Sequence, residues 1–356
     1  MIDVGGSVRT VSLWIIAILL VGVDCSHAAP IGVGTPSSAT TAPSQTDRRT
    51  PPPPPPDQQL KRPPRSEDSW EIPPKDIPEK MRLVGFESNV IGRRISYLIY
   101  LPPEYDLNPK VRFPVIYVLP PLRGDCREVG ILAQRLDTMI RRKQCLPSIM
   151  VAVHGVFGSM YTDTRDGARP IEKVIVNELV QKVDATFRTF PQREARALEG
   201  LFMGGYGAAF LGFKYPDIFG IVSMFAPPIA PLKYFQEESP EIATDVWGNH
   251  QGYFDANDPF LLVERNAALI RGRMKIRMFV GAEDPNRIFT DDFHARLDAL
   301  GIEHQYQVVA GVGQNGPALL KALKGDIYLF WFKAFPVEQM FKVETPASAP
   351  TTQPGT

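Results

Sequence analysis

Gly200-Leu201-Phe202-Met203-Gly204-Gly205 is the stretch that decides the fold of this 356-residue chain. It has the outline of a nucleophile elbow, Gly-x-Ser-x-Gly. In that motif a strand ends, the backbone turns sharply, and a helix begins with a serine exposed at the turn. The glycines are required because strand and helix backbones approach too closely for side chains. Both framing glycines are present here, but the central residue is Phe202. A phenyl ring has no proton to release and no lone pair for attack. The hexapeptide therefore speaks more clearly about architecture than about chemistry.

Working outward, the flanking sequence alternates apolar strands with helical periods. Arg94–Leu101 alternates and is rich in β-branched and aromatic residues, which predicts an antiparallel strand ended by Pro102-Pro103. Residues 113–119 and 148–153 are continuous apolar runs, the pattern of strands buried on both faces. Residues 196–200, 221–225, 275–280 and 303–309 read as further strands, and 129–143, 171–187, 207–214, 293–300 and 318–335 as helices. Strands alternating with helices imply right-handed βαβ units. The expected class is α/β: a mostly parallel central sheet with helices on both faces, in a single domain.

The ends have a different character. Residues 1–28 read as a signal peptide: Arg9, an apolar run from Leu13 to Val23 too short to span a bilayer comfortably, then Ser26-His27-Ala28-Ala29. Asp24 before Cys25 fits a lipobox poorly. Residues 29–77 form a Pro-rich linker that includes Pro51 to Pro56 and favours extended polyproline II chain. Residues 78–340 are the folded domain, and 341–356 a Pro/Thr-rich disordered tail. The expected location is secreted or periplasmic, with no integral membrane span after signal cleavage. Lys plus Arg and Asp plus Glu are both 39, so no net field draws the chain to nucleic acid. Cys126 and Cys145 flank the helix predicted at 129–143. Export favours pairing and the length of that helix opposes it, so both states stay open. No Cys/His spacing suggests a metal site, and no cofactor is called for.

Residues 80–335 resemble the esterase-D-like branch of the α/β-hydrolases, which includes S-formylglutathione hydrolases, enterochelin and feruloyl esterases, and bacterial mycolyltransferases. The resemblance rests on Tyr97–Tyr105 (YLIYLPPEY), Phe113–Leu119 (FPVIYVL), Val176–Leu179 with Val183–Thr189, Gly200–Gly207, and Tyr215–Gly220 (YPDIFG), in family order. It implies an α/β-hydrolase fold and a Ser–acid–His triad.

Each station of that triad has a matching position. Phe202 occupies the nucleophile's place. In Gly311-Val312-Gly313-Gln314-Asn315-Gly316, Gln314 stands where the histidine belongs, and an amide cannot act as a general base near neutrality. Asp284, in Val280–Asn286 (VGAEDPN), retains the acid position. The oxyanion loop carries Pro120-Pro121 in place of His-Gly; proline has no N–H, leaving those of Leu122 and Met203 as candidate donors. Gln314 is expected as a hydrogen-bonding plug beside Asp284. Ser159, Tyr161 and Asp163 are expected on a cleft-lining loop, as binding residues or a relocated site. His154 at the end of its strand is expected as a satisfied polar residue.

The leading expectation is an exported, catalytically inactive esterase-like protein that binds a small acyl or glycan-type ligand or an envelope partner. The alternatives are an ester hydrolase or acyltransferase with a displaced nucleophile, Ser159 foremost, and a structural envelope protein.

Overall fold

The computed structural model describes residues 70–72, 77–122, 126–323 and 326–335. The stretch read from the sequence as a signal peptide, most of that read as a Pro-rich linker, and that read as a tail lie outside the described residues. Eight strands are described: β1 Arg82–Ser88, β2 Arg93–Tyr100, β3 Val115–Leu119, β4 Ile149–Ala152, β5 Arg196–Leu201, β6 Ile221–Phe225, β7 Lys275–Gly281 and β8 Gln305–Val309. They form one sheet in the order β1-β2-β4-β3-β5-β6-β7-β8. β2 runs antiparallel to both β1 and β4, and every other pairing is parallel.

Alternation along the strands divides the core between the two faces. Val115, Tyr117 and Leu119 of β3 enter one apolar cluster, and Ile116 and Val118 the other. The first cluster lies under the helical segments 171–186 and Met203–Lys214, a run of helices between Leu232 and Ile270, and Arg287–Ala299. The second lies under Cys126–Arg141, Gly316–Ala322 and Asp326–Ala334. This is the doubly covered sheet expected of central strands that are apolar throughout.

Several predicted boundaries move. β1 had no counterpart in the sequence reading, and neither had the helices from Leu232 to Ile270. The single helix predicted over 318–335 is two helices, Gly316–Ala322 and Asp326–Ala334. The segment 171–186 is helical as expected, but Val174–Leu179 is wound as a π-helix. Within it, Glu178 accepts from the Ser88 hydroxyl and from the backbone N–H groups of Asn89 and Val90, fastening the β1–β2 turn. The linker assigned to 29–77 overruns the fold: Trp70 and Ile72 are both buried in the core. Ser96 N–H of β2 donates to Trp70 O (3.0 Å), and Ile72 N–H donates to Ser96 Oγ (2.7 Å). Cys145 is a free, buried thiol, so it is not in a disulfide with Cys126.

A polar row crosses the sheet just below the elbow. Glu199, Ser223 and Arg277 are in register on β5, β6 and β7. The fully buried Arg277 guanidinium donates to Glu199 Oε2 (2.9 Å), Ser223 Oγ (2.8 Å) and Ile327 O (2.6 Å). It also lies over the Phe330 and Trp331 rings. Burial lowers the Arg277 pKa to about 10 and raises that of Glu199. The row ties the elbow strand to the helix Asp326–Ala334, and a one-residue slip of any of the three strands would break it.

Candidate functional site

The site is built at the carboxyl ends of β5, β7 and β8. The first station is the elbow. β5 ends at Leu201 and the helix starts at Met203, which leaves Phe202 alone to make the turn, at φ 52° and ψ −114°. Positive φ in a residue with a Cβ costs about 1–3 kcal/mol and persists only where the surroundings enforce it. Here they do. A Cβ on Gly200 would stand 2.0 Å from Gly204 O, and one on Gly204 would stand 1.9 Å from Leu119 O. Phe202 N–H donates to Phe225 O (2.9 Å), and Phe202 O accepts from Tyr206 N–H (2.9 Å). The half-buried Phe202 ring packs against the second core cluster.

The second station is Asp284, in the loop after β7. Asp284 is buried, and its Oδ1 accepts from Asn286 N–H (2.9 Å), a turn that leads into the helix Arg287–Ala299. Oδ2 is buried and has no hydrogen-bond partner. Burial raises the carboxyl pKa, only partly offset by the Asn286 N–H. In the implied triad this oxygen faces an imidazole N–H, which would favour the ionised form. Tyr234, from the helix Leu232–Glu238, closes over the same loop by donating to Asn286 Oδ1 (2.8 Å).

The third station is the loop after β8. It is laced to the acid loop through backbone: Glu283 N–H donates to Val312 O (3.0 Å) and Ala282 N–H to Val309 O (2.8 Å). Gly281 is required there, since its Cβ would stand 2.1 Å from Val312 O. Asn315 caps the helix Gly316–Ala322 by accepting from Ala318 N–H. The loop also meets the elbow, because a Cβ on Gly316 would lie 2.4 Å from Leu201 Cδ2 and 3.4 Å from Phe202 Cε2. The loops that carry Phe202, Asp284 and Gln314 therefore meet at one end of the sheet. The expectation for Gln314 itself fails: its side chain is exposed and makes no hydrogen bond to Asp284, which keeps its orphaned Oδ2. The amide has no reason to enter an apolar corner where it would exchange water for one buried acceptor.

The loop after β3, which carries Pro120-Pro121, is held by Tyr161. The Tyr161 hydroxyl donates to Pro120 O (2.7 Å), and its ring lies where Cβ atoms on Gly155 and Gly207 would stand. Met160 and Tyr161 both have positive φ, which brings the ring under the oxyanion loop. Leu122 is half-buried, and its carbonyl accepts from Gly158 N–H (3.3 Å). Met203 is the first residue of its helix, so its N–H has no intrahelical acceptor.

Ser159, Tyr161 and Asp163 do not line an open cleft, contrary to the sequence expectation. All three are buried. Ser159 Oγ accepts from Tyr161 N–H (3.1 Å), while Asp163 receives Lys173 N–H and pairs with the Lys173 ammonium (3.3 Å). They are covered by the helices between Leu232 and Ile270: Tyr253 OH donates to Asp163 O, and Ile242 lies against Gly158. Nothing local in the sequence signalled this cover. His154 is also not the satisfied residue expected. Its Nδ1 is buried without a partner beside a small cavity that Trp70, Tyr97 and Ile175 also line, and burial lowers its pKa to about 4.

The fold and the converging stations define an α/β-hydrolase of esterase architecture. Residues 88–314 match the esterase family model described as "Putative esterase", and the chain belongs to that family. Among curated proteins it is similar to an endo-1,4-beta-xylanase/feruloyl esterase of Xylanibacter ruminicola, at 29% identity over 154 residues. That match covers 38% of this chain and only 20% of the relative's length. Among solved structures it resembles a ferulic acid esterase, with TM-score 0.61 and 18% identity over 73% of this chain and 99% of that one. An S-formylglutathione hydrolase from Agrobacterium tumefaciens gives TM-score 0.58 and 16% identity, over 72% of this chain and 95% of that one. At these identities the structural likeness speaks for the fold.

Proposed function

We propose that this chain is a non-hydrolytic member of its family that acts as an extracytoplasmic binding protein. Its ligand would be a small acyl or glycan-type molecule, or a partner in the envelope. The observation that carries this reading is Phe202, an unreactive ring held in the strained turn where the family's chemistry requires a nucleophile. The orphaned Asp284 Oδ2 and the exposed Gln314 support it, since the acid has no base to orient. Losing nucleophile and base together leaves about 10³–10⁴-fold acceleration over water even where an oxyanion hole is intact. Displacement of the nucleophile to Ser159 is disfavoured by the burial of that residue and by the N–H that its hydroxyl accepts. Among the described residues no helix is long and apolar enough to cross a membrane. Export itself rests on the leader and linker sequence.

The test is enzymatic. The purified chain should show no saturable turnover of short p-nitrophenyl esters and no serine adduct with a fluorophosphonate probe. Turnover abolished by Asp284→Ala, or an adduct mapped to any serine, would overturn the reading. The double variant Phe202→Ser with Gln314→His should gain measurable esterase activity if the remaining site is intact. Continued inactivity would place a further loss in the oxyanion loop.

A further inference from the structure

Away from this site, two histidines and an aspartate meet where the helix Arg287–Ala299 turns back into β8. His294 and Asp298 are one helical turn apart and share a face. The chain reverses through Gly301, whose φ is 64°, with Gly301 N–H donating to Asp298 O (2.9 Å) and Ile302 N–H to Leu297 O (2.9 Å). This reversal carries His304 back against His294. His304 Nε2 lies 2.7 Å from His294 Nδ1, and His294 Nε2 lies 3.6 Å from Asp298 Oδ2. One donor atom from each of the three residues falls within 4.8 Å of the others.

The orientation of these rings is fixed from outside the cluster. His304 Nδ1 stands 2.8 Å from Ile302 O. A carbonyl only accepts, so Nδ1 carries the proton and Nε2 turns its lone pair toward His294. This is how a metal-ligating imidazole is held: the far nitrogen donates to the protein and the near one is left free. His294 stacks on Tyr306 of β8, with centroids 4.5 Å apart at 30°, and Tyr306 in turn donates to Asp291. Asp298 is largely exposed and free to swing, and His294 is about one-third exposed.

We propose that His294, Asp298 and His304 form a binding site for a divalent transition-metal ion of the zinc type. Two imidazoles and one carboxylate suit zinc, cobalt or nickel, whereas calcium and magnesium require oxygen ligands throughout. The ion takes the place of the proton between His294 Nδ1 and His304 Nε2. That proton shifts to His294 Nε2, so the ring stays neutral, the Asp298 carboxylate swings from the Nε2 side onto the ion, and water fills the fourth position from the exposed side. With Zn–N bonds of about 2.0–2.1 Å, the two nitrogens separate from 2.7 Å to roughly 3.3 Å, a small rotation of His294. The bound ion fastens the end of the helix that follows the acid loop to the edge strand of the sheet. This proposal is independent of whether the family site is active.

The experiment is calorimetric titration of Zn²⁺ into the tag-free full chain after chelator treatment. One equivalent should bind with a micromolar or tighter dissociation constant. The melting temperature should rise with Zn²⁺ and stay unchanged with Mg²⁺. His304→Ala and His294→Ala should each weaken binding by more than the about 10–100-fold typical of losing an outer partner of a metal ligand. Asp298→Asn, an exposed change that leaves melting in chelator unaltered, should weaken it measurably. Co²⁺ should give tetrahedral d–d bands without thiolate charge transfer. No saturable binding below about 100 μM, binding equal in the wild type and the His294→Ala/His304→Ala pair, or a cobalt–thiolate spectrum would each overturn the site.

Discussion

The elbow at Phe202 and the loop at Gln314 stand at two corners of one site, and they are constrained in different ways. At the elbow the backbone is locked on every side. Gly200 and Gly204 have no room for a Cβ, and the Phe202 amide and carbonyl are both bonded. At the second corner the lacing to Val309 and Val312 holds the loop in place, but Gln314 projects into water. The acid loop falls between these extremes, with Asp284 buried as if for a partner that is not supplied. Packing thus demands this backbone whatever side chain the turn presents, because the turn is part of how β5 joins its helix. The side chain at a loop tip is under no such demand.

This contrast breaks most easily at Gly204. Gly204→Ala places a Cβ on the Leu119 carbonyl and should destabilise by about 4 kcal/mol or more, or abolish folding, in urea denaturation. A loss under about 1 kcal/mol would mean that the turn relaxes freely. At Phe202 the unusual sign is the test. Both Phe202→Ala and Phe202→Gly remove the ring, but only alanine keeps the positive-φ strain. Glycine should therefore be the more stable variant by about 1–2 kcal/mol, and the reverse order would show that the turn is unstrained.

Asp284 should give a smaller effect that depends on pH. Burial raises its folded-state pKa above the usual 3.8, so its contribution to stability is whole below that value and is lost as pH rises through the folded pKa. Asp284→Asn should melt with the wild type in acid and above it near neutrality. A variant less stable at pH 7 would show that the carboxylate has an ionic role. Gln314→Ala should be the quietest change, within about 0.5 kcal/mol at any pH, as befits an exposed amide. A larger loss would mean that the loop tip is packed after all.

How much was legible in the sequence follows from how local each signal was. β3 and β4 announced themselves as apolar runs, and the elbow as glycines at fixed spacing. β1 is an edge strand with Arg82 and Leu83 exposed, so its pattern was too weak to see. The helices between Leu232 and Ile270 are each only four to eight residues long. Their order comes from contacts distant in sequence, such as Tyr206 against Phe235 and Trp247. The same cover buries Ser159 and Asp163, which is why a plausible surface loop proved to be interior. The positions that the resemblance assigns to nucleophile, acid and base each lie after a strand, β5, β7 and β8, whose sequence marks it. The orphaned Asp284 Oδ2 and the exposure of Gln314 depend on side-chain placement and were not legible.

The anchorage of Trp70 also has a mechanical meaning. Tension applied at Trp70–Ile72 meets two ties to Ser96 of β2, one through its N–H and one through its hydroxyl. Ties that share one attachment point are loaded in succession, as in peeling tape, whereas the five-residue β5–β6 ladder would be loaded in parallel. Under tension the tryptophan should leave its socket first. It would act as a fuse ahead of the sheet, giving way while the turn at Phe202 holds its shape.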